Sequence, residues 1–450
     1  MTPVPAAGLS EVGTAFCLAM ILLVPLAALG LCLMNTGLGR SRSAAHTMLT
    51  ALCITATAAL VYFFCGFSWQ GAAGRAAHVF TVAGKPWNWI AAEPMFFRGL
   101  PLDGSGSDSG ASLAALLQMF SVGLAALIPL GAGTDRWRMA PACVSSALMA
   151  GLSYPLFAHW AWGGGWLAQL GLHYGLGRGY VDAGGAGCIQ VAGGLAALSI
   201  AWILGPRRGK YAASGMAAAI PGHHTVFVLL SCFLALMGWF GLNASGAMLF
   251  AGAAPGEVVL IAVNTMLSAG LATLAAALIT RARFGRPDAS LCANGWVGGL
   301  VASSAGCVFM PPAVAALTGL VAGALVTLSV EWIDLYLAVD DPGGSISVHA
   351  VAGVWGLLAL GMFGRIPAGR VLNGVGSGAG DSGQWLAQLV GVATLFGCVL
   401  PLTYSLNWLL NRFLPQRVSA EGEWQGMDLT ELGAGAYPEF VIHREDFIQR

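Results

Sequence analysis

Charge is scarce in this chain. Only 9% of its 450 residues are Asp, Glu, Lys or Arg, with twenty of each sign and a net charge of zero. A soluble domain carries about 25% charged residues, so there is too little charge here to cover a globular surface of this size. Without a basic excess, nucleic acid is not expected as a partner. Cys-x-x-Cys pairs are missing: the ten Cys stand singly, mostly inside apolar runs, which excludes a zinc ribbon or a disulfide framework. Sustained polar–apolar alternation is also missing from the apolar stretches, which argues against a β-barrel. No Ser-His-Asp or metal-hydrolase grouping assembles, so the reading is not an enzyme, with no metal and no cofactor. What is present is apolar: 57% of residues are hydrophobic and 64 are Gly. That is too much apolar surface for a disordered chain. High glycine is common where helices pack closely in lipid.

A helix needs about 20 apolar residues to cross the hydrocarbon core. Eleven stretches qualify, near 14–35, 44–67, 112–133, 139–161, 183–205, 225–248, 257–280, 289–309, 313–333, 345–364 and 384–411. The expected fold is an all-α membrane protein with a membrane domain over 1–412 and a polar cytoplasmic tail over 413–450. Lys and Arg set the orientation. With the N-terminus outside, the inner connections hold Arg40, Arg42, Arg136, Arg138, Arg207, Arg208, Lys210, Arg281, Arg283 and Arg286, and the tail adds Arg412, Arg417, Arg444 and Arg450. The outer side holds Arg75, Lys85, Arg98, Arg178, Arg365 and Arg370. Fourteen against six predicts N-out, C-in. A long outer loop, 69–110, is rich in Gly and Ser near 103–111.

Two segments align without a gap, DAGGAGCIQVAGG from Asp182 and DPGGSISVHAVAG from Asp341. They open spans five and ten, so the second enters from the opposite face. Spans 1–5 and 6–10 therefore read as an inverted repeat, an arrangement that places a site near the midplane. An Asp before a helix can cap its free N–H groups. Gln190 and His349 each follow their Asp by eight residues, which puts them about 12 Å deep at 1.5 Å per residue. Both Asp residues read equally well as caps or as site residues. The polar pair reads as functional, because ionisable groups inside a membrane are costly, or as glue between helices. His223-His224 reads as a helix start, His159 as packing or vestibule, and Glu331 and Asp334 as interfacial charges.

At this repeat the sequence resembles the ammonium transporter/methylammonium permease/Rhesus glycoprotein family. The resemblance spans about 13–437 and is densest in AHWAWGGGWLAQLG (158–171), VDAGGAGCIQVAGG (181–194), MGWFGLNASG (237–246), VDDPGGSISVHAVAGVWG (339–356) and GMDLTELGAGAY (426–437). It implies a homotrimer with one narrow pore per subunit. The family's outer vestibule attracts ammonium through an aromatic ring and a hydroxyl, two Phe gate the pore, and two His line an apolar lumen. Trp162 falls on the vestibule aromatic, where a cation–π contact is available, or reads as an interfacial anchor. Asp182 falls on the Asp near the recruitment site, Tyr154 and Trp239 on family aromatics of spans four and six, and His349 on the second pore His.

Several positions depart from the family. Gln190 stands for the first pore His, Leu242 for the inner gate Phe, and Gly246 for the vestibule Ser, with Ser245 adjacent. Anchoring span three on Gln118 puts Ser121 at the outer gate Phe, with Phe120 beside it. A PII-type signalling protein at the tail is the further partner the resemblance implies. Leu432 and Ala434 stand where the family has polar residues of a His-Gly-Glu sequence. The expected function is a channel for ammonia, ammonium or a related small amine, with proton coupling modified by the Gln190/His349 pair. The alternatives are a poorly conducting or non-conducting ammonium sensor, or a channel for another small neutral solute such as carbon dioxide. The expected location is a bacterial inner membrane.

Overall fold

Inside a bilayer, backbone N–H and C=O groups must find partners within the chain, and long apolar stretches do so as helices. The computed structural model describes residues 9–103, 109–212, 217–373 and 382–437. The long helices are α1 (Glu11–Leu38), α2 (Ser41–Gln70), α3 (Ser109–Gly133), α4 (Met139–Ala161), α5 (Ala186–Leu204), α6 (Thr225–Phe250), α7 (Pro255–Phe284), α8 (Ala289–Ser304), α9 (Pro312–Tyr336), α10 (Ile346–Phe363) and α11 (Gln384–Phe413). Among the described residues, ten are long and apolar enough to cross a membrane. The remaining one, α8, has 16 residues. The 289–309 stretch is thus a shorter helix that continues as turns.

The 69–110 loop holds a β-hairpin. Strands β1 (Ala77–Val82) and β2 (Lys85–Ala91) pair antiparallel. Their two-residue turn has positive φ at both Ala83 (51°) and Gly84 (74°), the twist-matched hairpin geometry. His159 ties this hairpin down, with its ring bonded to the Gln70 carbonyl and the Asn88 amide. The Ser-rich part of that loop, 104–108, lies outside the described residues.

The connections sort into two bonded groups. On one face Arg207 reaches Asp135 and Asp340, and Arg40 meets Asp135. This arginine-rich face also carries Lys210 on Asp334, a 2.7 Å contact. On the other face Asn88 N donates to Gln169, and Asn373 to the Tyr180 carbonyl.

The aligned repeat segments occupy equivalent places. A Cβ at Gly184 would stand 2.3 Å from Asn243 Oδ1 on α6, and one at Gly343 would stand 3.0 Å from Asn35 Oδ1 on α1. The segments also cross at their matched glycines. A Cβ at Gly194 would lie 2.4 Å from Ala350 N, and one at Gly353 would lie 2.6 Å from Val191 Cγ2. Residues 318–328, TGLVAGALVTL, are rich in small side chains, and their glycines pack within the chain. A Cβ at Gly319 would stand 2.1 Å from Ser268 O, and one at Gly323 2.1 Å from Ala272 O, so α9 lies flush on α7.

After α11 the tail folds back onto the arginine-rich face. Asp428 accepts from Ala45 N, His46 N and Ala436 N. Glu431 accepts from Met139 N at 2.8 Å and Arg138 Nε at 3.1 Å, and meets His46 Nε2 at 3.1 Å. Partial burial works against the Glu431 charge, but the bonds from His46, Met139 and Arg138 outweigh it and hold the carboxyl at about 2. The folded value lies below the unfolded one, about 4.3 for Glu. Its contribution is therefore complete above about pH 4.3 and lost as pH falls toward 2. Tail protection against protease should be constant from pH 5 to 8 and should fall at neutral pH in Glu431→Ala. A tail already loosening between pH 7 and 5 would contradict this. The described part of the tail ends at 437, and Arg444 and Arg450 lie outside it.

Candidate functional site

The two repeat helices both open with a π turn, Ala186–Val191 in α5 and Ile346–Val351 in α10. Such wide turns are rare and concentrate at functional sites; no sequence pattern used above would have found them. Each is preceded by a glycine in the left-handed region, Gly185 at φ 90° and Gly344 at φ 65°. Gln190 and His349 sit inside these turns. Gln190 Oε1 lies 2.7 Å from His349 Nδ1, with the residues 0% and 3% exposed.

The chemistry of this contact is simple. An amide oxygen only accepts, so Nδ1 carries the proton and His349 Nε2 presents a lone pair. Gln190 Nε2 is buried with no hydrogen-bond partner among the described residues. The pair therefore shows one donor and one acceptor. Turning the amide round, an orientation assigned from the bonding pattern, exchanges the two roles and keeps the count. Of the two side chains only the imidazole can take up a proton.

Toward the hairpin side, Asp182 is fully engaged. Its carboxylate accepts from Gly185, Ala186, Gly187 and Cys188 N at 2.7–3.0 Å. Its carbonyl accepts the Trp162 indole N–H at 2.7 Å. Trp162 is buried and stacks on Phe250, with centroids 4.5 Å apart and planes 12° from parallel. Phe250 was not singled out in the sequence, because it lies at the apolar end of α6. A Cβ at Gly246 would stand 2.4 Å from the Ala183 carbonyl. The small residue there lets α6 approach the Asp182 loop. The neighbouring Ser245 hydroxyl donates to Gly241 O inside its own helix.

Trp239, Leu242 and Gly246 share one face of α6 by their spacing. Trp239 Nε1 donates to Ser304 Oγ at 3.2 Å, and Leu242 is buried. On α3 and α4, the Tyr154 phenol donates to Gln118 Oε1. Ser121 is buried, while Phe120 is half-buried and packs at the margin of the core. His223-His224 starts α6: His224 Nδ1 accepts from Phe227 N. Glu331 and Asp334 form ion pairs with Arg283 and Lys210. Among the described residues no group of three or more His, Cys, Asp or Glu side chains could hold a metal ion.

Comparison with known proteins gives a consistent result. A sequence model of the Ammonium Transporter Family matches residues 15–437. The chain is 33% identical to "Ammonium transporter Amt2" of Archaeoglobus fulgidus, covering 92% of this chain and 85% of that protein. It is 29% identical to the "Ammonium transporter" of Bacillus subtilis, covering 95% and 98%. Among solved structures it is similar to a "Sensor Amt Protein", with TM-score 0.81, 27% identity, and 93% and 97% covered. Candida albicans Mep2, at TM-score 0.75, 23% identity, and 95% and 90% covered, shares the fold.

Proposed function

The chain belongs to the ammonium transporter family, and from that premise we propose that it conducts ammonia through a pore at the Gln190–His349 pair without a two-histidine proton relay. The observation that carries this reading is the 2.7 Å Gln190–His349 contact, which has a donor and an acceptor to offer. A neutral amine needs only such partners, whereas an unpaired ion in an apolar lumen is strongly penalised. Gln190 keeps the hydrogen-bonding complement and cannot pass a proton along. Trp162 is the proposed cation-facing aromatic of the outer mouth, and Leu242 and Ser121 stand at the gate positions. We further propose an N-out, C-in topology, supported by the Arg distribution. The homotrimer, the inner-membrane location and a tail-docking PII-type protein rest on the family alone. The docked tail over 420–437 shows Leu432 and Ala434 in place of polar groups.

A second reading, an ammonium-binding sensor, is supported by Phe250 covering one face of Trp162 and by the likeness to the "Sensor Amt Protein". Proteoliposomes separate the two. Under an inward ammonium gradient, the conducting protein alkalinises the vesicle interior several-fold faster than protein-free vesicles of the same lipid. Equal rates, with ammonium still bound, would leave the sensor reading. Faster carbon dioxide than ammonia entry would move the assignment to another neutral solute.

A further inference from the structure

After the hairpin the chain makes a turn, 94–99, against the end of α2. Phe96 and Phe97 both have positive φ, 62° and 52°, a region that bulky residues rarely enter. Tertiary contacts hold them there. Within the π turn Tyr62–Gly66 of α2, the Phe64 carbonyl accepts from Phe96 N at 3.3 Å. Phe97 is buried against Phe63, Phe67 and Tyr62, with ring centroids 5.2–6.0 Å away. Its neighbours stay uncovered: Met95 is 49% exposed and Phe96 42%. The Phe96 ring meets the Phe64 ring edge-on at 5.3 Å. The Arg98 guanidinium stands over Phe96, 5.5 Å from the ring centroid, and makes no ion pair among the described residues. Arg75 is committed to Glu93 by bonds of 2.8 and 3.0 Å, so the nearby carboxylate is already matched.

We propose that the 94–99 turn binds a phospholipid of the leaflet on the hairpin side, with Met95 and Phe96 among the acyl chains and Arg98 on the lipid phosphate. The occupant follows from continuity with the membrane surface of α2. On that span Leu52, Ala56, Leu60 and Phe64 are exposed and recur every four residues, one stripe along a helix. Phe96 extends this stripe sideways from Phe64. The depth agrees. The 30 residues of α2 at 1.5 Å each span about 45 Å, against a hydrocarbon core of about 30 Å. With the helix centred, Phe64 lies about 13 Å from the midplane, just inside the hydrocarbon edge. Trp69, nearer the helix end and also exposed, is the residue type of the headgroup level. Arg98 follows Phe96 by two residues at that edge, and a guanidinium matches the oxygens of a phosphodiester. This placement depends neither on which face is outside nor on whether the pore conducts.

The test uses the full-length wild type in vesicles that contain a phosphatidylcholine with a photoactivatable diazirine in the upper part of one acyl chain. Mass spectrometry of the peptides locates the adducts. The expected result is labelling of Met95 and Phe96 at the level of Phe64 and several-fold above Gln425 of the tail. A turn labelled no more than Gln425 overturns the proposal: with Phe64 labelled the turn stands in water, and with Phe64 bare other protein covers both. The headgroup contact is read by native mass spectrometry in mild detergent. Arg98→Gln, at an exposed position, should retain fewer phospholipids per protomer than the wild type, and Arg98→Lys should restore the count. Equal counts in all three proteins take the phosphate off Arg98 and overturn the site.

Discussion

Gln190→His should raise ammonium-evoked current on the order of tenfold, a barrier change of about 1.4 kcal/mol. In the wild type, Gln190 Oε1 holds the Nδ1 proton of His349 and offers nothing that titrates. An imidazole at 190 would place two groups with an unperturbed pKa of about 6.5 in contact, and a proton could then pass between the repeat helices. The relative sizes of Gln and His permit the exchange without a large change in packing. Neutral ammonia flux should change much less than current, because both pairs present one donor and one acceptor. Solid-supported membrane recordings on the two proteins in the same lipid make the comparison. If both are silent, the block lies at Ser121, Leu242 or the Phe250 cover on Trp162. A wild-type current already as large as that of Gln190→His would remove the imidazole from the account.

Asp182→Ala should cost most of the folded protein, and Asp182→Asn distinctly less. The carboxylate serves four backbone N–H groups at the start of α5. Leaving a buried donor unpaired costs about 1–3 kcal/mol, and whole domains are stable by only about 5–15 kcal/mol. Even without additivity, losing this cap threatens the fold. Asn keeps one accepting oxygen and loses the charge. Gel filtration in mild detergent and thermal melting report the outcome. A monodisperse Asp182→Ala protein with an unchanged melting temperature, impaired only in ammonium affinity, would make Asp182 a substrate ligand instead of a helix cap.

Much of this architecture was legible because bilayer physics is severe. Apolar length marks helices, and the boundaries read from the sequence fall close to those of α1–α7 and α9–α11. The one short member, α8, shows the limit of a length criterion. The matched Asp, glycines and polar residues of the repeat were legible because they recur at one spacing, and their shared depth brings Gln190 onto His349. What the spacing could not show was the π turn in which each sits, since a side-chain period of 3.6 says nothing about one wide turn. The β1–β2 hairpin was overlooked beside a Gly/Ser-rich stretch, although Ala83-Gly84 between two β-rich runs was a usable turn signal. The Trp162–Phe250 stack is a tertiary fact. The sequence treats Asp182 and Asp341 alike, and only the folded chain shows Asp182 as a cap serving four N–H groups.

The central claim is that ammonia crosses without a proton handed between two pore imidazoles. The measurement that tests it most directly is the charge moved per ammonia delivered, from simultaneous current and internal-pH recording on wild-type proteoliposomes under an ammonium gradient. The account predicts clear ammonia entry with much less than one charge per ammonia. One full charge per ammonia in the wild type, with His349 the only titratable member of the pair, would contradict it.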